Sequence, residues 1–102
     1  MSATQSAAYA PTALVTGAAR RLGRAISLAL AKSGYRLALH YNQSHEEAQH
    51  LARQIREQGG QADCFGFNFQ AKLDHEALDL LLGDINTRLG PVKLLVNNAS
   101  LF

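Results

Sequence analysis

Leu14-Val15-Thr16-Gly17-Ala18-Ala19-Arg20-Arg21-Leu22-Gly23 is the stretch on which the reading of this chain turns. Two apolar residues lead into a tight turn of small residues, and the turn opens into a segment of helical periodicity. A turn between a buried strand and a helix start aims backbone N–H groups at one point, where the helix N-terminus adds partial positive charge. Phosphate is the natural guest. Gly17 permits a backbone conformation that a Cβ would obstruct, and Gly23 lets the helix come close to the strand. Arg20, Arg21 and Arg24 crowd the same turn, a density of cations that an anion site uses and a plain connection does not need.

Outward from the turn the chain alternates. Thr12 to Thr16 reads as a short buried parallel strand. Leu22, Ala25, Ile26, Ala29 and Leu30 then recur at helical spacing, with Arg24, Ser27 and Lys32 on other faces. Gly34 is placed to end that helix in the left-handed position. Tyr35 to Tyr41 is a second strand, with Leu37 and Leu39 on one face and Ala38 on the other. Ser44-His45-Glu46-Glu47 has the form of a capping box, opening a helix with Ala48, Leu51, Ala52 and Ile55 on one face. Gly59-Gly60 stops it. Ala62 to Phe69 is a third strand, in which Phe65, Phe67 and Phe69 alternate. Asp74 is the expected N-cap of a third helix whose buried stripe is Leu78, Leu81, Leu82, Ile85 and Leu89, and Gly90-Pro91 ends it. Val92 to Val96 is a fourth strand, running into Asn97-Asn98-Ala99-Ser100-Leu101-Phe102.

The order β-α-β-α-β-α-β with short connections predicts an α/β fold, a doubly wound parallel sheet with right-handed crossovers and helices on both faces. In the Rossmann-type arrangement the strands lie 3-2-1-4, and the crevice beyond strands 1 and 4 is the topological switch point. The arginine-rich turn and the tail after the fourth strand meet there. Residues 12–102 form one domain in this reading, and residues 1–11 a mobile arm of small and polar residues without the basic and apolar regions of a signal peptide.

Composition narrows the classes. Hydrophobic residues make up 47% and charged ones 18%, which fits a soluble globular chain and not a disordered one. A net charge of +2 is too small to argue for nucleic acid or a membrane surface. Cys64, the single cysteine, excludes an internal disulfide and fits a reducing compartment, so a cytoplasmic location is expected. His40, His45, His50 and His75 lack metal-ligand spacing.

At this point the residues resemble the short-chain dehydrogenases/reductases, whose cofactor turn is Thr-Gly-x-x-x-Gly-x-Gly. Thr16, Gly17 and Gly23 match it, and Arg21 stands in place of the middle glycine. Thr-Gly-x-x-x-Arg-x-Gly is the form seen in the pteridine reductases of that family. Asn97-Asn98-Ala99-Ser100 likewise resembles the family's Asn-Asn-Ala-Gly motif after the fourth strand, with Ser100 replacing glycine. The resemblance covers nearly all of residues 12–102, under half of a typical family member.

The end of the second strand separates the nicotinamide nucleotides. An NAD site places a carboxylate there for the ribose 2′-OH, whereas an NADP site offers cations and donors to a 2′-phosphate. Here the segment is His40-Tyr41-Asn42-Gln43-Ser44, with no carboxylate before Glu46, and Arg21 lies across the same mouth. NADP(H) is favoured. The cofactor residues expected are Gly17, Arg20, Arg21, Leu22 and Gly23 of the turn, His40, Tyr41, Asn42 and Ser44 after the second strand, Asn68 at the adenine, and Asn98, Ala99 and Ser100 after the fourth. The resemblance implies that Ser100 also meets substrate and that Phe102 stacks on a flat heterocycle such as a pterin; the other reading of Phe102 is an exposed aromatic at the chain end.

The family's catalytic Tyr-x-x-x-Lys pair is not found: Tyr9, Tyr35 and Tyr41 are followed at the fourth position by Ala13, Leu39 and His45. The resemblance therefore implies the cofactor portion of an NADPH-dependent reductase acting on a dihydropterin or similar C=N substrate, with these 102 residues inactive alone and the parent a homo-oligomer. A carbonyl reductase and a non-catalytic nucleotide-binding module are the alternatives. With nothing beyond it, the fourth strand would be an unprotected edge, and the fragment marginally stable or self-associating.

Overall fold

The computed structural model describes residues 10–68 and 75–98. Seven elements follow in order: β1 (Thr12–Val15), α1 (Arg21–Lys32), β2 (Arg36–Tyr41), α2 (His45–Glu57), β3 (Ala62–Gly66), α3 (His75–Arg88) and β4 (Val92–Val96). The strands form one parallel sheet in the order β3-β2-β1-β4, as the alternation predicts.

Period-2 patterning sorts the side chains onto two faces. Ala13 and Val15 of β1, Leu37 and Leu39 of β2 and Ala62 of β3 pack with Leu51, Ala52 and Ile55 of α2 and with Ile26 and Leu30 of α1. Leu14, Ala38 and Phe65 face the other way, onto Leu81 and Ile85 of α3 and onto Leu89. Two helices on one face and one on the other is what a reversal of direction at β1 demands. Strand order runs outward from β1 to β3 and then returns to β4, so a crossover of constant hand must change face at that step. The reversal leaves a crevice at the carboxyl ends of β1 and β4.

Several local expectations are corrected. In α1 the inward stripe is Gly23 and Ser27, with Ile26, Leu28, Leu30 and Ala31 at its flanks, while Leu22, Ala25 and Ala29 face out. Ser27 buries without cost to its hydroxyl because Oγ donates to the Gly23 carbonyl one turn back, at 2.8 Å. The stripe of α3 is Ala77, Leu81 and Ile85 at four-residue spacing, continued by Leu89; Leu78 is half-buried and Leu82, one step of about 100° further round, is exposed. β3 stops at Gly66 because its neighbour β2 stops at Tyr41, its register partner. No capping box forms at α2: Ser44 has φ −85° and ψ 55°, off the extended geometry that brings a cap hydroxyl to the first N–H groups, and makes no side-chain cap bond. Gly34 does take the left-handed conformation at φ 99°. Pro11, placed in the arm by the sequence reading, accepts the Arg36 N–H at 2.8 Å. The rest of the arm, Phe69 and the Asp74 cap lie outside the described residues.

Candidate functional site

The crevice holds an open cleft of about 690 Å³, and its floor is the Gly17 peptide. Gly17 sits at φ 61°, a conformation that costs any side-chain-bearing residue. It is gripped from both sides. Its N–H donates to His40 Nδ1 at 3.0 Å, and its carbonyl accepts from Asn98 Nδ2 at 3.1 Å. Ala18 N–H donates to the His40 carbonyl at 2.9 Å, so β2 holds two consecutive residues of the turn. On the β4 side, Thr16 N–H donates to the Val96 carbonyl at 3.0 Å, and Asn98 N–H donates to Thr16 Oγ1 at 2.8 Å. Strands on either side of β1 thus fix one turn.

Gly23 completes the cradle. A Cβ there would lie 2.1 Å from the Gly17 carbonyl oxygen and 2.7 Å from Asn98 Nδ2, distances no real Cβ tolerates. The close approach expected from sequence exists, and its partner is the turn together with Asn98.

Within the turn, the N–H groups of Gly17 and Ala18 are engaged by His40. What faces the cleft is the start of α1, lined by Ala19, Arg20, Arg21 and Leu22. The first N–H groups of a helix have no intrahelical acceptor. Here no side chain caps them: the N-cap residue is Arg20, without a cap hydrogen bond, and the first turn holds no acid. Arg21 adopts φ 52°, the one non-glycine residue at positive φ among the described residues, which explains why this position of the motif is more often glycine.

The three arginines divide. Arg24 donates to Gln54 Oε1 at 2.5 Å and borders a smaller recess with Glu46, Glu47 and His50. Arg20 pairs with Glu47 at 3.6 Å, both side chains more than half exposed, a contact of little energetic weight. Arg20 and Arg21 are the cations that border the cleft.

The opposite wall is His40, Tyr41, Asn42, Gln43 and Ser44. His40 is 2% exposed. Its Nδ1 receives the Gly17 N–H and its Nε2 lies 2.7 Å from the Phe67 carbonyl, an acceptor, so the ring is the neutral tautomer with hydrogen on Nε2. Burial pushes its pKa below the ordinary imidazole value, against a smaller upward pull from the Phe67 carbonyl. Both ring nitrogens are thus engaged within the protein, while His40 still lines the cleft. Tyr41 Oη bonds His45 Nδ1 at 2.8 Å, and its ring lies over Gly66. Ser44 makes no side-chain cap bond and lines the cleft.

Asn98 lines the floor. Asn68 is exposed after β3, apart from the residues lining the cleft. Ala99, Ser100 and Phe102 lie outside the described residues. Sequence reasoning missed Ala19, Gln43, Thr16's bond to Asn98 and Glu47's pairing with Arg20. A pair 27 residues apart, with a helix and a strand between, carries no local signature that could have revealed the last of these. Among the described residues no cluster of metal-ligating side chains occurs, and no helix is long and apolar enough to cross a membrane.

A family model described as short chain dehydrogenase matches residues 11–102. This chain belongs to the short-chain dehydrogenase family. It is 38% identical over 89 residues to the short-chain dehydrogenase/reductase homolog YusS of Bacillus subtilis, covering 87% of this chain and 79% of YusS. It is 35% identical over 90 residues to the 3-oxoacyl-[acyl-carrier-protein] reductase FabG of Staphylococcus aureus, covering 88% of this chain and 35% of FabG. Among solved structures, FolM alternative dihydrofolate reductase 1 of Brucella canis, complexed with NADP, superposes with a TM-score of 0.81 at 40% identity, covering 94% of this chain and 36% of that one. The chain thus spans most of YusS and about a third of FabG and FolM.

Proposed function

We propose that the cleft binds NADP(H) and that the protein is an NADPH-dependent reductase of the pteridine-reductase type, acting on a dihydropterin or a similar C=N substrate in the cytoplasm. One observation carries the nucleotide: a helix N-terminus with no side-chain cap bond and no acid, loaded with Arg20 and Arg21, in a cleft that no carboxylate lines among the described residues. Cations at the positive end of a helix dipole are unfavourable until an anion joins them. A 2′-phosphate meets Arg21, the Ser44 hydroxyl and the Asn42 amide on the opposite wall, while the absent carboxylate removes the group that would select NAD. The likeness to FolM in its NADP complex supports the same cofactor.

When bound, the nicotinamide supplies a hydride. The residues of this chain hold the nucleotide: Gly17 and Gly23 allow its close approach, Asn98 and His40 lock the turn, and Arg21 sets phosphate preference. Proton delivery requires a tyrosine and lysine pair that these 102 residues do not contain. Ser100 and Phe102 are proposed to meet the substrate.

The identity to FabG favours a second reading, reduction of a ketone in an acyl thioester. Steady-state turnover of dihydropterin against 3-oxoacyl thioester by the protein in its longest natural form separates the two. Dihydropterin turnover with NADPH, and about tenfold less with NADH, is expected. Preference for the thioester moves the assignment to the second reading, and failure to bind either nucleotide removes both.

A further inference from the structure

The buried imidazole at the end of β2 turns both nitrogens to the protein, and one of them holds the residue on which the turn depends. We propose that His40 is a positioning residue for the nucleotide turn, acting through the Gly17 N–H, and that it makes nucleotide affinity fall as pH falls. The proposal rests on the NADP(H) reading of the cleft.

The geometry leaves one protonation state open to the ring. Gly17 N–H donates to Nδ1 at 3.0 Å, which requires a bare lone pair on that nitrogen. Phe67's carbonyl at 2.7 Å requires hydrogen on Nε2. A second proton can enter only at Nδ1, where it would point at the Gly17 N–H. Two donors cannot share that line, so protonation expels the Gly17 peptide or swings the ring out of its 2%-exposed seat. Either movement reaches the cleft directly. Gly17's carbonyl, in the next peptide unit, is held by Asn98 and faces Gly23 of α1, where an added Cβ would lie 2.1 Å from its oxygen, so a shift of Gly17 bears on Asn98 and on the first turn of that helix. Displacing Gly17 therefore displaces the start of α1.

Charged and titratable groups on the surrounding elements do not supply a competing switch to this ring. From the turn, Arg20 and Arg21 border the cleft. From α2, Glu47 is paired with Arg20, and His45 is bonded to Tyr41. The ends of β3 and β4 bring Phe67 and Asn98, which do not titrate.

The test is NADPH titration between pH 5.5 and 8 on the protein in its longest natural form, as wild type, His40→Asn and His40→Leu. Asparagine can place Oδ1 where Nδ1 now accepts, and it does not titrate. The cofactor's own phosphate changes charge in this range, so the quantity read is the ratio of wild-type to His40→Asn affinity. That ratio is expected to fall about fivefold from pH 8 to 5.5, within the tenfold per pH unit that one linked proton allows. At pH 8 His40→Asn should bind within about threefold of wild type, and folded His40→Leu at least about tenfold more weakly. Parallel pH profiles for wild type and His40→Asn would overturn the proposal. So would nitrogen NMR shifts showing hydrogen on Nδ1 in the neutral ring, a readout that needs no nucleotide. Wild-type protein that binds no NADPH at any pH would instead sink the nucleotide reading on which the proposal stands.

Discussion

α1 and α2 pack on the same face of the sheet and begin at the same end of it, yet their N-termini are built on opposite electrostatic logic. α2 opens with Glu46 and Glu47 and carries Arg56 in its last turn, so its side chains complement its dipole. α1 opens with Arg20 as N-cap and Arg21 and Arg24 behind it, has no acid in its first turn and no side-chain cap. Neither start has a side-chain cap bond, but that of α2 carries its own negative charge, whereas that of α1 gains one only with an anion. Backbone geometry repeats the contrast, because Arg21 sits at φ 52°, where α2 has no residue at positive φ. Of these two helices, the one whose first turn opposes its dipole is the one whose start lines the cleft with arginines.

The contrast can be broken most severely at Gly23. Gly23→Ala should cost about 3 kcal/mol in denaturant unfolding and weaken NADPH binding by about a hundredfold, because the new methyl meets two fixed groups. A near-wild-type titration would mean the cradle is looser than its geometry. Next, Arg21→Glu gives α1 the acid that α2 already has. It should lower NADPH affinity by about a hundredfold while changing NADH far less, measured as the ratio of the two dissociation constants. Equal losses for both nucleotides would detach Arg21 from the 2′-phosphate.

Arg21→Gly separates function from folding. Relief of the left-handed strain should stabilise the protein by about 1 kcal/mol, read from its denaturation midpoint, while NADPH affinity drops about tenfold. Ser44→Ala probes the other helix start. With no cap bond to lose, stability should change by less than about 0.5 kcal/mol, where a working serine cap would cost about 1 kcal/mol, and NADPH binding should weaken a few-fold.

A last measurement concerns pH without ligand. His40 is held neutral, with its folded pKa below the unfolded value near 6.5, so below that value the unfolded chain binds more protons than the folded one. Its contribution is complete above pH 6.5 and is lost as pH falls through the depressed folded value. Thermal melts should show stability declining with acid in wild type and a shallower decline in His40→Asn.

Strand order, the two faces of β2 and the place of the cleft were legible because they depend on patterns of period two and on a fixed hand of crossover. Leu37 and Leu39 against Ala38 is such a case. Helix faces were less legible. Ser27 scores as polar but buries because Gly23's carbonyl is one turn away, and Leu22 scores as apolar but stands 63% exposed at the cleft mouth. The serine and glutamate at the start of α2 had the form of a capping box, but the backbone at Ser44 is bent away from it.

By itself the sequence determined the alternation of elements, the parallel sheet, the two glycines that the turn needs and the absence of a carboxylate after β2, all of which are properties of residue type and spacing along the chain. Tertiary structure alone decided which arginines border the cleft, since Glu47 and Gln54 reach Arg20 and Arg24 from another helix. It also decided that His40 serves the Gly17 peptide. A side chain's partner is set by what folding brings within about 3 Å of it, and for a buried group with two directed nitrogens that proximity fixes its tautomer and its role together.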